Sequence, residues 1–109
     1  MAGTPPAAPP YHLGMQFSRE LRERVAAGEI TVSVRLWSRP QVRVGGTYPV
    51  LGATIEIDDI ELLPFAEISD DDVLSAGEFT REAQRARAAH AGPITDETLV
   101  YRVQFHVVR

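Results

Sequence analysis

The chain has 109 residues, 15 acidic and 11 basic side chains, a formal net charge of −4 and no cysteine; every basic residue is arginine, and asparagine is also missing. These absences exclude a disulfide framework, a zinc–thiolate site, a thiolate nucleophile, a lysine Schiff base and a P-loop of the usual kind. The net negative charge argues against a protein that coats nucleic acid indiscriminately.

Residues 1–12 carry four prolines in the first ten positions. They read as a disordered Pro/Ala-rich tail, ahead of a single domain over residues 13–109. Ser18 is placed to cap a helix that begins at Arg19, with Phe17, Leu21 and Val25 on one face and Gly28 as its stop. Residues 30–37 alternate strictly. Ile30, Val32, Val34 and Leu36 form one face, and Thr31, Ser33, Arg35 and Trp37 form the other, as in a half-buried strand. Pro40 and Gly45-Gly46 bracket a loop or short edge segment. A short strand over 48–51 and a longer one over 54–65 follow, with Ile55, Ile57, Ile60 and Leu62 as core candidates. The alternation switches parity across Asp58-Asp59, which predicts a bulge or bend. Ser69 with Asp72 three residues on forms a capping box for a helix that stops near Gly77. Thr80 caps a further helix over 81–91. Residues 99–108 alternate again and form a closing, central strand. Helices interspersed among β segments in so short a chain predict an α+β fold, a small curved sheet or barrel flanked by two or three helices.

No window reaches the roughly 20 apolar residues of a membrane helix, and the first dozen residues lack the charged start and apolar run of a signal peptide. The expectation is a cytoplasmic protein with no membrane partner. Heavy use of Ala and Arg points to a bacterial, GC-rich genome. Charge is uneven: residues 1–52 hold six arginines and three glutamates, whereas residues 53–109 hold five arginines and twelve acids. Such asymmetry can leave a basic surface on an acidic protein, unless folding intermixes the charges.

The stretch Gly28-Glu29-Ile30-Thr31-Val32-Ser33-Val34-Arg35 resembles the signature of the ASCH domain family, G-x-K-x-x-x-x-R. A helix precedes it. Val42-Arg43-Val44-Gly45, an isoleucine-rich strand, an acidic helical segment after Ile68 and a Tyr101-to-Phe105 strand follow in the family's order. The resemblance covers roughly residues 15–107. It implies a small PUA-like β-barrel and binding of RNA, a nucleotide or a modified nucleoside. Some relatives of this type are amidohydrolases acting on acetylcytidine nucleosides, and others have been described as ribonucleases. The amidohydrolase pattern uses the signature lysine as base, a hydroxyl three residues later as nucleophile and a later glutamate. By position these fall on Ile30 and Ser33, with Glu78 the candidate glutamate. Isoleucine cannot take a proton from serine, so Ile30 departs from the pattern where catalysis needs it. The expectation is therefore a binding domain without catalysis, with Ser33 and Glu78 the residues of the enzymatic alternative.

Within that frame Arg35 offers a planar fork of donors for phosphate or a base edge, and Thr31 and Ser33 add hydroxyls beside it. Its structural alternative is pairing with an acid such as Glu56 or Glu78. Trp37 could stack a base or simply pack against the core. Arg39 and Arg43, either side of Pro40, could meet a phosphate backbone or stay solvated. Tyr48 could line the cleft or belong to the core. Glu78 could act as an acid, accept from a base amine, or lie on the surface between two helices. Of the histidines, His12, His90 and His106, no two have a ligand spacing, so neither metal nor cofactor is expected. Only His106 could approach a barrel interior, and its parity favours solvent.

Overall fold

A computed structural model describes residues 15–89 and 92–109. The expected tail over 1–12, with His12, and also His90 lie outside the described residues. The elements are α1 (Arg19–Ala26), β1 (Val32–Arg35), β2 (Thr47–Val50), β3 (Ala53–Pro64), a short 3-10 turn (Phe65–Glu67), α2 (Asp70–Ser75), α3 (Arg81–Ala88) and β4 (Leu99–Val107).

The four strands form one antiparallel sheet in the order β1-β4-β3-β2. The last strand in sequence is thus central, as its alternation predicted. The sheet is open, which corrects the expectation of a closed barrel. β1 and β2 remain at opposite edges, and each is only four residues long. Pro49 gives a physical reason at the β2 edge. The two-residue hairpin turn puts the Tyr48 and Val50 bonds toward β3, so the missing N–H of Pro49 falls on the outer edge, where a further strand would need it.

The bulge is where the parity switch placed it. Ile57 faces Phe105 and Asp59 faces Gln104, so Asp58 is the extra residue. Its carboxylate is bonded to His106 Nδ1 at 2.8 and 3.0 Å. His106 is exposed, in keeping with its parity. Beyond the bulge Ile60 is half-buried, whereas Leu62, expected in the core, is 50% exposed. Leu63 is buried on the other face, opposite Val100 and beneath α2 and α3.

Two apolar clusters occupy the two faces. Phe17, Leu21, Val25, Ile30, Ile55, Ile57, Val103 and Phe105 pack together beneath α1. Val34, Leu63, Phe65, Ile68, Val73, Ala88 and Val100 pack beneath α2 and α3. β4 supplies both, as alternation requires of a strand covered on each side.

The helix ends follow local chemistry. Ser69 Oγ accepts from Asp72 N–H at 3.0 Å, and Asp72 accepts from Ser69 N–H at 3.2 Å, completing the capping box. Asp72 also receives Arg102 Nε at 2.8 Å. Thr80 caps α3 through Ala83 N–H at 3.0 Å. Ser18 sits at the α1 N-cap position but makes no side-chain cap bond; its hydroxyl accepts from Arg87 at 2.9 Å. Gly77 ends α2 with φ +86°. A β-carbon there would lie 2.7 Å from Ile30 Cδ1, so glycine also lets α2 approach the start of β1.

Candidate ligand cavity between α1, β1 and α3

A cavity of about 590 Å³ lies along the free edge of β1. Residues 16–18 and Leu21 bound one side, residues 30 and 32–37 form the floor, and Ala76 with Gln84 and residues 86–88 close the other.

Arg35 is its principal cation. By register Ser33 and Arg35 face Val103 and Tyr101, so they share the α1 face of the sheet. Arg35 Nε donates to Ser33 Oγ at 2.7 Å, and Nη2 donates to the Gln16 carbonyl at 2.7 Å. The guanidinium carbon lies 5.0 Å from the centre of the Phe17 ring and 5.7 Å from that of Trp37, within cation–π range. Among the described residues no carboxylate pairs with it. The acids considered as partners are engaged elsewhere, Glu56 near His106 and Glu78 with Arg87. Burial pushes the Arg35 guanidinium down to about 10, still protonated at neutral pH.

Ser33 is buried, at 9% exposure. Its oxygen receives the Arg35 Nε–H. Arginine cannot take the proton a nucleophilic serine must lose. Ile30, at the signature lysine position, is 1% exposed and lines the cavity with aliphatic carbon.

Glu78 is buried as well, at 6%, which removes the surface reading. It accepts a hydrogen bond from Arg87 Nε. Arg87 also reaches Glu20 at 2.8 Å and Ser18 at 2.9 Å. Glu78 thus stands behind the wall, holding the arginine that lines it. Arg87 in turn ties α3 to the start of α1 across 67 and 69 residues of sequence.

Trp37 is half-buried, lines the cavity and packs at 6.0 Å from the Tyr101 ring. The other sequence candidates lie apart. Thr31 is not among the lining residues; its backbone joins Ser75 and Phe105 at 3.0 and 2.9 Å. Tyr48 packs against the core under α1, and its hydroxyl accepts from Arg43 N–H at 3.2 Å. Tyr48 and Arg43 border a separate, shallower hollow with Pro40 and Thr47. Arg39 is exposed and lines neither. Among the described residues no group of three or more His, Asp or Glu side chains is arranged to hold a metal ion.

Sequence reasoning passed over Gln84 and Arg87. Gln84 is 2% exposed, and its Oε1 is buried with no hydrogen-bond partner among the described residues. The signal was present: Gln84 and Ala88, four apart, are the buried face of α3, and glutamine is a costly choice there.

The open sheet, its helical covers and the cavity at its edge define a small α+β domain. Among solved structures the fold is similar to that of an ASCH domain from Lactobacillus crispatus JV V101, with TM-score 0.67 and 19% identity over 86% of this chain and 76% of that one. It is also similar to a DUF984 protein from Enterococcus faecalis V583, with TM-score 0.63 and 17% identity over 82% and 67% of the two chains. No protein-family model and no curated protein matches the sequence. The chain therefore has the ASCH-type fold that the signature residues implied. No helix among the described residues is long and apolar enough to cross a membrane.

Proposed function

We propose that this domain binds a nucleotide, free or within single-stranded RNA, in the α1–β1–α3 cavity and does no chemistry on it. The observation that carries this reading is Arg35. It is a protonated guanidinium in a largely apolar cavity, oriented by Ser33 and Gln16, flanked by two aromatic rings and without a carboxylate partner among the described residues. A half-buried cation of this kind gains most from an anionic or acceptor-rich ligand. Trp37 adds a ring on which a base can stack.

The absence of turnover rests on Ser33 and Ile30. Ser33 is held by a donor that cannot act as base, and Ile30 replaces the residue that could. Titration of short single-stranded RNAs and of mononucleotides, at about 50 mM and about 200 mM salt, tests the reading. Binding is expected at the lower salt, weakening at the higher. No binding at the lower salt would overturn it. Release of cytidine from acetylcytidine, abolished by Ser33→Ala, would instead make the domain an amidohydrolase.

A further inference from the structure

The ladder between β1 and β4 fixes where the β1 backbone points. Phe105 N–H donates to the Thr31 carbonyl at 2.9 Å. The pairs Ser33/Val103 and Arg35/Tyr101, two and four residues along, therefore direct their N–H and C=O groups toward one another. The N–H and C=O groups of Val32 and Val34 point the opposite way, off the edge of the sheet. Both residues line the cavity and are buried, at 3% and 4% exposure. Among the described residues nothing bonds these four outward groups. Buried backbone groups are almost always paired, so a row of free ones facing a cavity marks a place for a partner.

A second observation lies across the cavity. Gln84 Oε1, on α3, is a buried acceptor without a donor among the described residues. The remaining polar lining is less available. Arg87 is engaged by Glu78, Glu20 and Ser18. The cavity thus offers one uncompensated cation, alternating donors and acceptors along one wall, and an orphaned acceptor opposite.

These features match a planar heterocycle, whose edge carries donors and acceptors in its plane and whose faces are apolar. A polyphosphate would need more than one free cation. An added peptide strand needs an open path along the edge, and Ala76 and α3 flank this one. We propose that the cavity reads the edge of a single nucleobase bearing an exocyclic amine. The Val32 and Val34 backbone would bond the ring edge, Gln84 Oε1 would accept from the amine, and Arg35 would be left for the phosphate. This rests on the nucleotide-binding reading and adds the base that the site selects.

The test uses the full chain, labelled with nitrogen-15 and titrated separately with CMP, AMP, UMP and ribose 5-phosphate. CMP and AMP are expected to move the Val34 amide resonance downfield. They should bind well above ribose 5-phosphate, which carries no base, and about tenfold tighter than UMP, the scale of one hydrogen bond. Gln84→Leu should abolish that preference while melting no lower than the parent, because it removes an unsatisfied polar atom; a residue with only a structural role would not separate the two readouts. Should Gln84→Leu fail to fold, the Val34 shift in the unmodified chain still decides. Equal binding of CMP, AMP and UMP, or a Val34 amide that stays in place, overturns base selection and leaves nucleotide binding standing. Binding of none overturns both.

Discussion

At the scale of single residues, Arg35 shows how one guanidinium can be both a cost and a tool. Burial lowers its proton affinity, so its charge opposes folding at every pH below about 10, and that opposition lifts only as pH rises from about 10 toward the ordinary arginine value. Ligand binding has the opposite sign, because an anion needs the charged form. Affinity for a mononucleotide should therefore hold from pH 7 to about 9 and fall as pH passes about 10, as calorimetry across that range would register. Arg35→Met should cost about tenfold or more in affinity. Its unfolding free energy at pH 7 should change by no more than about 1 kcal/mol, because the lost contacts to Ser33, Gln16 and Phe17 are offset by removing a desolvated charge. A large loss of stability with affinity intact would make Arg35 a structural residue. The polar face of Ser33, Arg35 and Trp37 was legible from alternation alone. Gln84 was not, since a lone glutamine in a helix of arginines and alanines has no pattern until the opposite wall is in place.

Secondary elements carried most of their own instructions. The capping box at Ser69 and Asp72, the Thr80 cap and the parity switch at Asp58 all form as local chemistry dictates. What local chemistry could not supply was contact from afar: Ser18 makes no cap bond and accepts from Arg87, and Asp72 takes a second role with Arg102. The β2–β3 turn shows a local choice made against preference. Leu51 and Gly52 both have positive φ, at 47° and 80°, the geometry of a two-residue turn that favours Asn-Gly. Leucine is strained there and 56% exposed, so little packing offsets the strain. Leu51→Asn should raise unfolding free energy by about 1 kcal/mol, read from denaturant midpoints at constant m. A neutral or negative result would show that the leucine packs more than its exposure suggests.

For the whole molecule, the uneven charge of the sequence survives folding in part. In the second half, four of the five arginines, Arg81, Arg85, Arg87 and Arg102, pair with acids, and Arg109 has no carboxylate partner among the described residues. In the first half Arg19, Arg22, Arg35, Arg39 and Arg43 have no carboxylate partner among the described residues, whereas Arg24 pairs with Glu29. Arginines without a carboxylate partner thus gather on α1, at the cavity and on the segment after β1. A mononucleotide should engage Arg35 alone, whereas a short single strand running out past Trp37 would also meet Arg39 and Arg43. The salt dependence of oligonucleotide binding should then be steeper, by roughly 0.7 in logarithmic slope for each added phosphate contact. Arg39→Ala with Arg43→Ala should reduce that slope for the oligonucleotide and leave the mononucleotide unchanged. Equal slopes before and after would confine the ligand to the cavity. The class of fold was legible from the order of elements and the signature residues. Whether the sheet closes was not, because closure depends on which edge groups face outward.

The place of β4 between β1 and β3 also sets an order of events in time. During synthesis the β2–β3 hairpin can form as soon as it emerges, since its partners are adjacent in sequence. β1 has no partner until residues 99–107 appear, about seventy positions later, and the same strand completes both apolar clusters. Until then β1, with half of the ligand cavity, waits as an unpaired edge. Such distant pairing slows folding. Ligand recognition and completion of the fold are therefore one late event, gated by the arrival of a single strand.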